Sequence, residues 1–282
     1  MRKSILSIVL CLLVLSPAAA AAQEIPIIDL HFHFTEDWDI EAFVKEMDAL
    51  GVAKAGNAAF FGAPDSLALA WARRYPDRFI PFAGKQAISG FIQSDGERAW
   101  TLQAPAVVAY LQQIEAALKA GQFKGIGEIN NNHHPDFPAD SPLMQRFWSW
   151  SAKYQVPLSV HMNPREERVT EMERLLASDR RGTWMWAHAG GAGPALMRRL
   201  LRAHPNFYVE LSGRAFDIMD NAEWKVLVEE FSGRFVLGTD AFNLQQFVLK
   251  IGRWRKVLKQ LSPQTAAKLA HENAERLLNL RR

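Results

Sequence analysis

Past a leading apolar run, the chain alternates between two textures. Short apolar or β-branched stretches occupy 25–33, 52–59, 79–85, 123–130, 156–162, 183–189, 206–212 and 234–240. Between them lie stretches with helical spacing at 39–50, 65–75, 104–120, 140–154, 165–178, 193–203, 219–231 and 243–259. The segment APAVVAYLQQIEAALKA, Ala104 to Ala120, repeats its apolar positions every three or four residues, as an amphipathic helix does. Several helices have legible ends: Asp65 and Ser66 open one and Pro76 closes it, while Ser141 and Pro142 open another. Strands alternating with helices predict a parallel sheet wound through right-handed crossovers. Eight of each predict an α/β chain folded as one (β/α)8 TIM barrel. A doubly wound open sheet would show fewer strands and a glycine-rich turn after the first, whereas this first strand ends in histidines. Residues 263–281 predict an additional C-terminal helix packing across the barrel.

The N-terminus changes the picture of where the barrel works. Arg2 and Lys3 precede an apolar run from Ile5 to Leu15, then Ser16, Pro17 and a string of alanines. This pattern predicts a secretory signal peptide over 1–22, cut near Ala20 or Ala22, and an exported domain over 23–282, periplasmic or secreted. The run is too short for a stable membrane anchor. The only cysteine, Cys11, lies inside it after Leu10, which does not fit a lipidation site, so the mature domain is expected to lack disulfides and to rely on its core. The formal charge of +3 falls to about +1 once Arg2 and Lys3 are removed, because residues 1–22 hold no acid. A near-neutral surface argues against nucleic acid or an anionic membrane as the main partner, and the expected partner is a small-molecule substrate.

Candidate chemistry collects where a barrel of this class keeps it, at the C-terminal ends of the strands. Reading those ends in order gives His31 and His33, Lys85, Glu128, His161, His188, Glu210 or Ser212, and Asp240. Residues two apart on a strand share a side, so His31 and His33 face one way with Asp29 one pleat deeper, and Leu30 and Phe32 face the helices. Imidazoles and carboxylates without sulfur suit Zn²⁺, or Mn²⁺, Fe²⁺ or Co²⁺.

These motifs resemble the amidohydrolase superfamily, most closely its amidohydrolase-related branch, which also contains decarboxylases acting on small acids. The matching stretches are DLHFHF, GIGEI, SVH, WAHAGG, VELSG and LGTD on successive strands and HENAERLL near the C-terminus. The resemblance implies that His31, His33, His161, His188 and Asp240 are metal ligands, with Asp240 also shuttling a proton. Glu128 stands where many members carry a carboxylated lysine, so a carboxylate bridging two ions and a site for one ion are both open. The implied activity is that of a metal-dependent hydrolase using metal-activated water on an amide, ester, lactone or phosphoester. The alternatives are a decarboxylase of a small carboxylic acid and a barrel that binds metal without catalysis. Lys85, His133, His134 and Arg214 are candidates to contact substrate. Each has a structural reading too: Lys85 or Arg214 pairing with Glu128, and His133 with His134 sitting on a polar surface loop. Asp29 is placed to hold a ligand imidazole or to cap the strand interior. Gly190, Gly191 and Gly193 read as a tight turn, with an anion seat as the other reading; His204 reads as structural, at a helix end where a cation suits the dipole, His271 as packing, and Trp184 and Trp186 as core.

Overall fold

The computed structural model describes residues 24–59, 64–132 and 135–280; the expected leader and both His133 and His134 lie outside the described residues. Eight parallel strands follow one another in sequence order: β1 (Ile27–Phe34), β2 (Val52–Ala59), β3 (Phe79–Ala83), β4 (Gly125–Asn130), β5 (Pro157–His161), β6 (Thr183–Trp186), β7 (Phe207–Glu210) and β8 (Phe235–Val236). The ring is completed where the segment after β8 runs beside β1. Leu30 N donates to Leu237 O at 2.9 Å, and His33 N donates to Ala241 O at 2.8 Å. The barrel is the architecture that the alternating pattern predicts.

Helices fill the outside: α1 (Ile40–Ala49), α2 (Asp65–Arg74), α3 (Lys85–Asp95), α4 (Glu97–Trp100), α5 (Pro105–Lys119), α6 (Pro142–Tyr154), α7 (Glu166–Ser178) and α8 (Pro194–Ala203). They continue with α9 (Ala215–Asp220), α10 (Ala222–Glu230) and α11 (Leu244–Leu258). Local capping chemistry sets several starts, since Asp39, Ser141 and Asn243 each accept a backbone N–H of the first turn. Burial of one face does the rest: Phe32 and Phe34 of β1 pack outward against Phe43 of α1 and Trp71 of α2, with ring centroids 4.9 Å apart for Phe32 and Phe43.

Several boundaries differ from the sequence reading. Two helices, α3 and α4, occupy 85–100, where no helix is expected, and Lys85 opens α3 rather than ending β3. The single helix expected at 219–231 is two, α9 and α10, broken at Asn221, whose side chain caps the second. The last strand is two residues long because its remainder, up to Asp240, bonds to β1 as an irregular loop.

Strict alternation also fails in β1. A register shift lies between Asp29 and Phe32, so Leu30 joins Ile28, Ile80, Phe82, Met185 and Val236 in the barrel lumen instead of facing the helices. The C-terminal segment plugs this lumen from the side opposite the histidines. It comprises α12 (Pro263–Ala267), a π-helical stretch (Lys268–Glu272) and α13 (Asn273–Leu277), and it inserts Ala274 and Leu278 against Leu30. Asn273, fully buried, ties it to the barrel by donating to Ser232 O at 2.7 Å and Phe235 O at 2.8 Å. Among the described residues no helix is long and apolar enough to cross a membrane.

Candidate metal centre

At the C-terminal rim the strand ends bring six expected donors together. His31 and His33 point their Nε2 atoms at each other across 3.2 Å. Asp240 Oδ1 lies 3.0 Å from His33 Nε2 and 3.7 Å from His31 Nε2, while Glu128 Oε2 lies 3.4 Å from His31 Nε2 and 3.6 Å from His33 Nε2. The other oxygen of Glu128 faces a second pair, 3.0 Å from His161 Nδ1 and 3.2 Å from His188 Nε2. Donors about 2.1 Å from a common divalent ion at tetrahedral angles would be about 3.4 Å apart, so both groups have the spacing of a coordination shell. Among the described residues, three overlapping sets have their ligand atoms within 4.8 Å of one another: His31, His33 and Glu128; His31, His188 and Asp240; and Glu128, His161 and His188.

The backbone works to achieve this convergence. Asp240 sits at φ 51°, and His188 and Ala189 at 57° and 51°, a left-handed turn in which an aspartate is tolerated better than an alanine. Gly190 completes that turn because a Cβ there would meet the Trp186 ring at 2.2 Å. This agrees with the tight-turn reading of the glycines. Arg214 fastens the turn: its Nε donates to His188 O at 3.1 Å, and its Nη2 to Ala192 O at 2.8 Å. Its Nη1 donates to Asp217 at 2.6 Å, so all three nitrogens of the guanidinium are engaged with the scaffold.

Two residues outside the expected donor set decide the tautomers. Glu210, fully buried, accepts from His31 Nδ1 at 2.8 Å and from Ser212 Oγ at 2.8 Å. Having spent its proton on Glu210, the Ser212 hydroxyl accepts from His188 Nδ1 at 2.7 Å. One carboxylate therefore leaves the Nε2 lone pairs of two imidazoles free, one directly and one through a serine. Their place at the end of β7 is visible in the sequence, but their partners are not. Gly238 makes room, since a Cβ there would lie 2.2 Å from Glu210 Oε1. Asp29 takes the strand-capping role instead. It accepts from His31 N at 3.0 Å, Thr239 N at 2.9 Å and Thr239 Oγ1 at 2.6 Å, and so bolts the loop after β8 onto β1.

The electrostatics are those of a site that seeks a cation. Burial pushes the Glu128 carboxyl up, but the charges of Lys85 and His31 and the close contacts with His161 and His188 hold it well below the usual range. Burial likewise opposes charge on His31, yet Glu128 and Glu210 raise its proton affinity well above normal. His33 falls to about 4, through burial and then the neighbouring Lys85 ammonium. Asp240 is raised by burial and lowered further by His33, His31 and His188, ending at about 2. Burial pushes Asp29 up to about 7. A cluster of anions and imidazoles that draws a proton to its centre is chemically suited to a divalent ion, which binds the same lone pairs. Lys85 is brought to the centre too, donating to Glu128 Oε2. At the rim, His161 is 35 % exposed, and the exposed ring of Phe242 lies tilted against His33 with centroids 4.7 Å apart.

Comparison with known proteins bears on these observations. The family model described as Amidohydrolase matches residues 22–280. Among solved structures, the chain is similar to 2,6-dihydroxybenzoate decarboxylase from Rhizobium, with 16 % identity and a TM-score of 0.65 over 90 % of this chain and 99 % of that one. It is similar to 5-carboxyvanillate decarboxylase from Novosphingobium aromaticivorans complexed with manganese, with 16 % identity and a TM-score of 0.62 over 92 % and 97 %. A dihydroxybenzoic acid decarboxylase from Polaromonas with bound manganese gives 16 % identity and a TM-score of 0.65 over 91 % and 98 %. At such identities the likeness is one of fold. No curated protein matches the chain.

Proposed function

The chain belongs to the amidohydrolase family, and from that premise we propose that it is a metal-dependent decarboxylase of a small aromatic acid. The observation that carries this reading is the pairing, at one rim, of a cation-seeking donor cluster with the exposed Phe242 ring, which lies tilted against His33. A flat apolar wall beside a centre that attracts anionic oxygens fits a planar ring bearing a carboxylate. The similar folds that act on dihydroxybenzoate and carboxyvanillate support it.

His31, His33, Glu128, His161, His188 and Asp240 are the residues that would hold the ion, with Zn²⁺ or Mn²⁺ suited to their nitrogen and oxygen donors. When bound, the ion supplies a Lewis acid that orients substrate oxygens and draws electron density from the ring. Loss of CO₂ leaves a ring carbon that needs a proton. Asp240, ionised and a quarter exposed, is placed to accept the proton of a ring hydroxyl and then return it to that carbon. Glu210 keeps His31 in one tautomer throughout, directly and without rearrangement.

Hydrolysis of an ester, lactone or amide is the second reading. What favours it is the place of Asp240, an ionised carboxylate a quarter exposed at the rim beside His33, where it could orient an attacking water. The leader read at residues 1–22 adds an exported location to the proposal, to be checked by N-terminal sequencing of the mature protein.

Incubating the manganese-loaded protein with 2,6-dihydroxybenzoate, 5-carboxyvanillate and related hydroxy acids, with CO₂ as the readout, tests the main reading. A parallel panel of esters and lactones in ¹⁸O water tests the second. Release of CO₂ without ¹⁸O incorporation is expected. Turnover confined to the second panel refutes the decarboxylase.

A further inference from the structure

Outside the barrel, between α2, α3 and α5, lies a cavity of about 490 Å³ that none of the six donors of the metal centre lines. Its walls are apolar at Leu69, Ile114 and Phe123 and polar at Asp65, Tyr110 and Gln113. Asp65 is the only charged side chain among the described lining residues. Neutral groups hold its carboxylate: Gly84 N is shared between Oδ1 at 3.2 Å and Oδ2 at 3.3 Å, and the Tyr110 hydroxyl donates to Oδ2. Phe91 backs the tyrosine, with ring centroids 5.6 Å apart. Among the described residues no lysine, arginine or histidine acts on Asp65, and burial raises its carboxyl against the pull of its two donors. Oδ1 keeps accepting capacity, since the shared amide is its one donor and a carboxylate oxygen takes two.

A carboxylate withdrawn from water without a counterion is costly, and a cation arriving from outside offsets that cost. We propose that this cavity is a second small-molecule site, for a primary amine carried on a compact apolar body. The ammonium pairs with Asp65 Oδ1, and the apolar body lies against Leu69, Ile114 and Phe123. Pockets for small ligands run to about 300–1,000 Å³, so the volume suits a molecule at the small end of that range. Charge complementarity sets the class: an anion meets the Asp65 carboxylate, and a neutral molecule leaves it unpaired. The site stands apart from the metal centre and from the reaction proposed there.

Calorimetric titration of the purified protein with 2-phenylethylamine and with 2-phenylethanol, each with and without chelator, tests the site. The amine is expected to bind about 10–100-fold more tightly than the alcohol, and equally well with the metal removed. Asp65→Asn removes the charge and should bring the amine down to the level of the alcohol. Gln113→Lys, on the exposed side of α5, supplies the cavity with an ammonium of its own and should do the same. Equal affinities for the two probes overturn the inference, as does an amine signal that vanishes on chelation. So does undiminished amine binding in folded Asp65→Asn; should that variant fail to fold, the surface substitution Gln113→Lys decides in its place.

Discussion

Glu210→Gln isolates the role of the buried carboxylate, because an amide there has no satisfactory orientation. The native Oε2 accepts from His31 Nδ1, Ser212 Oγ and His188 N, and Oε1 accepts from Ser212 N. If the glutamine oxygen takes the Oε2 place, its NH₂ confronts the Ser212 N–H and one buried donor is orphaned, which costs about 1–3 kcal/mol. Replacing an ionised acceptor by a neutral one weakens the bond to His31 further, so a loss of about 2–3 kcal/mol in the metal-free protein is expected. In the opposite orientation the NH₂ meets His31 Nδ1, which must then give up its proton. The proton moves to Nε2, and the nitrogen that faces His33 and Asp240 can no longer ligate. Either way divalent metal should bind about 10–100-fold more weakly. Urea denaturation in chelator gives the first quantity, and competition titration with Mn²⁺ gives the second. A variant within about 0.5 kcal/mol of wild type that also binds Mn²⁺ within about threefold would refute the reasoning.

Further outcomes follow from the same geometry. Asp240→Asn should lower kcat by about 10²–10⁴; retained turnover in a variant that still binds Mn²⁺ would remove the proton-shuttle role. Asp29→Ala should cost about 2–4 kcal/mol by stranding His31 N and loosening the Thr239 loop, whereas Asp29→Asn keeps an acceptor for both N–H groups and should cost under about 1 kcal/mol; equal losses would contradict this. Mn²⁺ at about 100 times its Kd should stabilise the protein by about 2.7 kcal/mol, and chelation should reverse the gain in a thermal scan. Asp65, which accepts from Gly84 N and Tyr110, has its carboxyl raised by burial, so its contribution to stability is complete below the ordinary value of 3.8 and is lost as pH rises through the folded value. The stability of wild type relative to Asp65→Asn should therefore fall as pH increases from 4 upwards, and a difference that is flat or rises would show the sign to be wrong.

The sequence by itself determined the barrel. Periodicity of two and of three to four, repeated in alternation, leaves a parallel sheet with helices outside as the way to bury both faces of the strands. It also placed His31, His33, Glu128, His161, His188 and Asp240 at one rim, because a strand's C-terminal end is a local property. Partners were another matter. His31 takes its support from Glu210, 179 residues away, and not from Asp29, two residues away, and Lys85 reaches Glu128 from a helix that no periodic pattern announces. Such choices depend on barrel register and on the shift between Asp29 and Phe32, which turns Leu30 into the lumen. A period tells which side a residue faces, but only closure of the ring brings two distant strand ends to the same height and lets a buried charge select its neighbour.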